Sequence, residues 1–103
     1  ITGPFKTGDL VFFQEIDGVP PVGVIRRQRS DGTLEISGIS RGMTRIIKAH
    51  VHRRSWRRWK GRVLNTFLRN KRPGDVKGTP YLAGQLITAI RRLPAPERPV
   101  ETR

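Results

Sequence analysis

A chain of 103 residues, 35% of them hydrophobic, is long enough for one domain around one modest core. Cysteine is absent, which excludes disulfides, thiolate metal sites and thiol nucleophiles, and no apolar run is long enough to cross a bilayer. Lys and Arg, mostly Arg, total 21 against 8 acids, and this formal charge of +13 points to an anionic partner: nucleic acid, an acidic glycan or an acidic protein face.

In chain order, residues 8–52 read as strands. Leu10 to Phe13 form a short, wholly apolar run that suits a strand buried on both faces. Gly18-Val19-Pro20-Pro21 interrupts the chain and Val22 to Ile25 resumes it. Ser30-Asp31-Gly32-Thr33 is a hairpin signal, because Asp-Gly supplies the positive φ of a tight turn. Leu34 and Ile36 alternate with Glu35 on the return strand. A further strand is expected from Thr44 to His52, with Ile46, Lys48 and His50 on one face and Ile47, Ala49 and Val51 on the other.

Beyond Arg53 the period changes. Val63, Leu64, Phe67 and Leu68 recur at helical spacing, which predicts a helix over 61–71 ended by Pro73-Gly74. A second helix is expected over 80–92. Thr79 can cap it, Pro80 suits its first turn, and Leu82, Leu86, Ile87, Ile90 and Leu93 form its apolar stripe. Pro94 would stop it, with Arg91 and Arg92 in its last turn. The expected architecture is a single α+β domain over 1–93: an antiparallel sheet of about five strands, a basic segment over 53–62, then the two helices. Residues 94–103 read as a Pro-rich tail. The expected core comprises Leu10, Phe12, Val22, Val24, Ile36, Ile47, Val63, Phe67, Leu86 and Ile90.

Gly8-Asp9-Leu10-Val11-Phe12-Phe13, then Val22-Gly23-Val24-Ile25, then Asp31-Gly32-Thr33-Leu34, resembles the second half of papain-like cell-wall amidase domains of the CHAP type (cysteine–histidine amidohydrolase/peptidase). GRVLNTFLRN with GTPYLAGQLI is similar to the C-terminal end of some secreted members, so the likeness spans about residues 5–90 in order. It implies a half of the papain-like fold and a cell-envelope or extracellular location. Such enzymes use a Cys thiolate, a His base and a third polar group that orients the His. Here there is no Cys, the position of the family's His is Pro21, and the third position falls at Ser37 or Gly38. Proline offers neither a proton acceptor nor a backbone N–H. The resemblance therefore implies a framework without its catalytic groups.

Replacement chemistry finds little support. Glu15, Asp17, Asp31 and Glu35 are carboxylates near the implied cleft, but Asp17 and Asp31 adjoin turn glycines, where Asp serves the backbone. His50 and His52 stand two apart and could clasp a metal. No third ligand is evident and Arg53 and Arg54 adjoin them, so they read as the rim of a basic patch. No metal or other cofactor is called for.

Between Glu35 and Asp75 there is no acidic residue. The densest part of that interval, HRRSWRRWKGR, interleaves Trp56 and Trp59 with cations. Arg53, Arg54, Arg57, Arg58, Lys60 and Arg62 would grip anionic groups while the indoles stack on rings; alternatively the indoles pack inward, a reading stronger for Trp59. Three functions follow. The first is a non-catalytic, amidase-like binding or structural module that engages an envelope polymer or an acidic protein subunit through this Arg-rich face. The second is a small SH3-like barrel that binds nucleic acid through the basic Trp/Arg segment. The third is a remnant subunit of a cell-wall hydrolase, against which Pro21 speaks. The chain starts at Ile1 rather than Met, so the lack of a secretory signal fixes no compartment. An open half-sheet would also have to close on itself or bury its face against another protein.

Overall fold

Short apolar runs separated by turn residues pair in antiparallel fashion, and a computed structural model describes residues 5–92 in these terms. Strands β1 (Leu10–Phe13), β2 (Val22–Gln28), β3 (Leu34–Ser40) and β4 (Met43–Ala49) follow one another as a meander. A two-stranded hairpin follows, β5 (Arg58–Trp59) and β6 (Arg62–Val63), then one helical turn, α1 (Ala83–Leu86), and strand β7 (Ile87–Arg91). The main sheet has five strands in the order β4-β3-β2-β1-β7, with β4 and β7 at its two ends. The α+β class and the five-stranded antiparallel sheet are as expected. The expected tail over 94–103 lies outside the described residues.

Two hairpins turn on the same device. Ser40 pairs with Met43 and Trp59 with Arg62, leaving two-residue loops at Arg41-Gly42 and Lys60-Gly61. All four loop residues have positive φ (50° and 75°, 48° and 76°), the type I′ geometry whose twist matches the flanking strands.

The last third departs from the expected helices. Residues 61–71 contain β6 and then an extended stretch, not a helix. Thr66 donates its N–H to Lys48 O (2.9 Å) and accepts the Lys48 N–H on Oγ1 (2.9 Å), while Ala83 N–H bonds Thr66 O (2.8 Å) and Leu68 N–H bonds Tyr81 O (2.9 Å). The stretch is thus pinned between β4 and residues 81–83. Leu64 and Leu68 are buried and Phe67 is exposed. The expected helix over 80–92 is reduced to Ala83–Leu86. Its cap is Gln85, whose Oε1 accepts the N–H groups of Tyr81 and Leu82 (both 3.2 Å), while Thr79 turns back on Val76 O. Ile87 is already extended, and Ile87-Thr88-Ala89-Ile90 pairs with β1. Its β-branched residues suit a strand, and a short stripe of this kind is readable with either period.

The core sits on one face of the sheet. Val11, Phe13, Ile25, Leu34, Ile36, Ile47, Ala49 and Ile87 point inward and are covered by Val51, Leu68, Ala83 and Leu86. Of the expected core, Ile36, Ile47 and Leu86 are buried and Ile90 packs partly against it. Leu10, Phe12, Val22 and Val24 lie on the opposite face and are half-buried; Val63 is half-buried too. The parity is set by close packing. Gly23 pairs with Gly38 across β2–β3, and a Cβ on Gly38 would stand 2.5 Å from Ile47 Cδ1 and 3.3 Å from Pro20. Only glycines leave room there for Pro20, Ile36 and Ile47, so their neighbours Val22 and Val24 are forced outward.

Candidate functional site

Asn65 organises the basic segment. It is fully buried and uses its amide in four directions. Oδ1 accepts the N–H groups of His50 and Gly84 (both 2.9 Å), and Nδ2 donates to the carbonyls of Arg53 (2.8 Å) and Trp56 (2.7 Å). One side chain thereby joins the end of β4, the 53–56 loop and α1, with its full donor and acceptor capacity used. Gly84 is the complement: a Cβ there would lie 2.3 Å from Asn65 Oδ1 and 2.8 Å from His50 O.

His50 belongs to the same scaffold. Its Nδ1 accepts the N–H groups of Arg53 (3.0 Å) and His52 (3.3 Å), which leaves the proton on Nε2 to be donated to Asp31 O (2.9 Å). Both ring nitrogens are engaged, so His50 is not placed to hold a metal with His52. β4 ends at Ala49, and the two His rings meet edge to face at 6.2 Å instead of side by side on a strand. Among the described residues no group of three His, Cys, Asp or Glu side chains is arranged to bind a cation.

The loop so held opens onto a groove of about 620 Å³ lined by His52, Arg53, Arg54, Ser55, Trp56, Gly78, Pro80 and Gln85. No carboxylate is in that lining. The Arg53 guanidinium lies 4.9 Å from the Trp56 ring and 4.7 Å from that of Trp59, and Arg54 Nε donates to Val51 O (3.1 Å). Both cations are thus fixed by stacking or by backbone, not by ion pairing. Trp56 is 46% exposed, whereas Trp59 is half-buried between Arg53 and Lys60 (4.5 Å). The groove's far wall comes from the 69–81 loop. Gly78 and Pro80 supply that wall; elsewhere in the loop, outside the lining, Asp75 accepts the Tyr81 hydroxyl and the Arg72 N–H (2.8 Å) and pairs with Arg69 (3.6 Å). The Tyr81 hydroxyl and the Arg72 N–H hold the Asp75 carboxyl below the ordinary aspartate range, and Asp75 in turn pushes the Tyr81 phenol up.

The eight residues expected to contact an anion are therefore not one patch. Arg53, Arg54 and Trp56 line the groove; Trp59 and Lys60 stack behind it. Arg58 and Arg62 stand exposed on the β5–β6 hairpin. Arg57 turns the other way, stacking on Phe67 at 4.5 Å beside Lys48 and Ile46. Among the described residues no carboxylate lies within ion-pair reach of any of these cations. Sequence reasoning missed Gln85 and the organising role of Asn65. The available signal was an amide standing inside an apolar run, where only a satisfied polar group is tolerated.

The three positions of the implied cleft do not converge. Gly38 faces the core, Ser37 faces the other side of the sheet, where it is 3.5 Å from Arg26 Nη1, and Pro21 is exposed with its carbonyl bonded to Phe13 N–H (3.1 Å). The carboxylates are dispersed as well. Asp31 pairs with Arg29 (3.1 Å) and accepts the Thr33 N–H (2.9 Å), Glu35 pairs with Arg27 (2.9 Å), and Asp17 lies 3.8 Å from Arg41 on the surface. Glu15 lines a separate groove at the β1–β7 corner. No family model, curated protein or solved structure matches the chain.

Proposed function

We propose that this chain is a non-catalytic binding or structural module of amidase-like framework, whose basic groove engages an anionic partner: an envelope polymer or an acidic protein subunit. One observation carries the reading. Two guanidinium groups and a half-exposed indole surround an open groove with no carboxylate in its walls, fixed in place by the buried Asn65. Binding sites of this kind gain from cations whose geometry is set before the ligand arrives. The amidase-like element rests on the ordered series from Gly8 to Leu34, and the non-catalytic element on the missing Cys and on Pro21.

A second reading, nucleic-acid binding, is favoured by Trp56 alone. Its exposed ring beside Arg53 is the pairing that stacks on bases and grips phosphates. Titration of the protein with labelled poly(glycerol phosphate), a poly-glutamate peptide and single-stranded DNA, across about 50 to 200 mM salt, separates the partners. Binding that weakens with salt and falls at least tenfold in Arg53→Ala/Arg54→Ala is the expected outcome. Preference for DNA over the other two polymers selects the second reading. Absence of binding at low salt, or hydrolysis of peptidoglycan by the pure protein, overturns the proposal.

A further inference from the structure

The basic groove lies in the layer that covers the inner face of the sheet. The outer face carries two neighbouring rows of side chains that run across all five strands. Strand register puts Ile46, Ser37, Val24, Leu10 and Arg91 in one row, and Thr44, Ile39, Val22, Phe12 and Ala89 in the next. Seven of these ten are apolar. Arg57 and Phe67 flank the Ile46 end and the Arg26 guanidinium reaches Ser37, but Ile39 and Ile46 remain 46% and 59% exposed. Continuous apolar area of this kind marks an interaction surface.

Its dimensions and charge specify an occupant. The rows are about 7 Å apart along the strands and about 19 Å long across them, the footprint of an α-helix laid on a sheet. At the β1–β2–β7 corner the face deepens into a groove of about 620 Å³, whose lining includes Phe12, Pro21, Val22, Ala89 and Arg91, enough to seat one large side chain. One border of the rows is cationic. Arg26, Arg27 and Lys48 stand there, and Arg91 ends the first row. Glu35, the acid among them, is already tied to Arg27 at 2.9 Å. Asp9, beside Leu10, is tied to Arg92 at 3.3 Å, and Glu15 lies in the corner groove. A second copy of the chain would set this cationic border against its equal in a two-fold arrangement and join two bodies of charge +13. We infer that the outer face docks an amphipathic helix of a partner protein, with an apolar stripe on the Leu10–Phe12–Val22–Val24 band and carboxylates along the flank that meets Arg26, Lys48 and Arg91. This site is independent of the basic groove.

Two synthetic helical peptides test it, each with the same Leu/Phe stripe, one flanked by Glu and the other by Lys. Labelled Glu-flanked peptide should bind the full 103-residue chain, and the Lys-flanked peptide at least tenfold more weakly. Ile39→Ser/Ile46→Ser should cost at least tenfold in affinity with an unchanged melting temperature, because both side chains are exposed in the free protein. Arg53→Ala/Arg54→Ala should leave Glu-flanked peptide binding unchanged, which separates this face from the groove. Equal binding of the two peptides, an unaffected Ile39→Ser/Ile46→Ser variant, a dimer in sedimentation, or peptide binding only after removal of residues 93–103 overturns the inference.

Discussion

The two faces of the sheet are built from similar side chains and end in opposite conditions. On the inner face, Gly23 and Gly38 thin the sheet so that Pro20, Ile36 and Ile47 close-pack, and the 50–86 segment seals it through Asn65. On the outer face, Val22 and Val24 stand beside those same glycines with nothing from the described chain above them. The difference lies in backbone hydrogen bonding. The covering layer has little regular structure, and a buried side chain that answers four backbone groups lets such a layer exist. Among the described residues no equivalent polar hub stands over the outer face.

The comparison can be broken most severely at Asn65. Asn65→Ala leaves four backbone groups unanswered in a buried site and should cost about 3 kcal/mol or more, read by urea denaturation, with loss of polyanion binding as the loop is released. Gly84→Ala drives a methyl against Asn65 Oδ1 and His50 O, both held in the hub. A loss of about 1–3 kcal/mol is expected, and a stability equal to the parent would show the hub to be loose.

Smaller effects sharpen the contrast. Acid should loosen the 69–81 loop of the covering layer, which Asp75 ties together. The folded state holds the Asp75 carboxyl below its ordinary value, so its contribution is fully present above about pH 4 and is lost as pH falls through the depressed folded value. Amide exchange in residues 69–81 should accelerate over that range, and Asp75→Asn should abolish the pH dependence while loosening the loop at neutral pH. The least effect on stability, within about 0.5 kcal/mol, is expected for Ile39→Ser and Ile46→Ser, since exposed side chains away from such features contribute little. A loss above about 2 kcal/mol would mean that the outer face is covered within the chain itself.

Much of the site could be read in one dimension, but not its grouping. Arg53, Arg54 and Trp56 stand out in the sequence and do come together. Arg57 also stands out, but it turns away because its carbonyl is bonded to Leu64 N–H (2.8 Å) and its guanidinium lies on Phe67. Gln85 and Pro80 join the groove from some thirty residues downstream, a distance no local pattern spans. An antiparallel sheet of about five strands was foreseeable from turn chemistry and patterning; which face would be covered was not, because Leu10 to Phe13 is apolar at every position.

By itself the sequence determined the four strands of the meander, the Asp31-Gly32 turn, the strongly positive charge and the absence of a thiol, because these depend on local backbone preferences and on composition. Tertiary structure alone decided that residues 87–91 would be a strand, that Asn65 would hold the basic loop, and which parity of β1 and β2 would face inward. Each of those outcomes turns on a partner distant in the chain: the free edge of β1, the carbonyls of Arg53 and Trp56, and the space between Pro20 and Ile47.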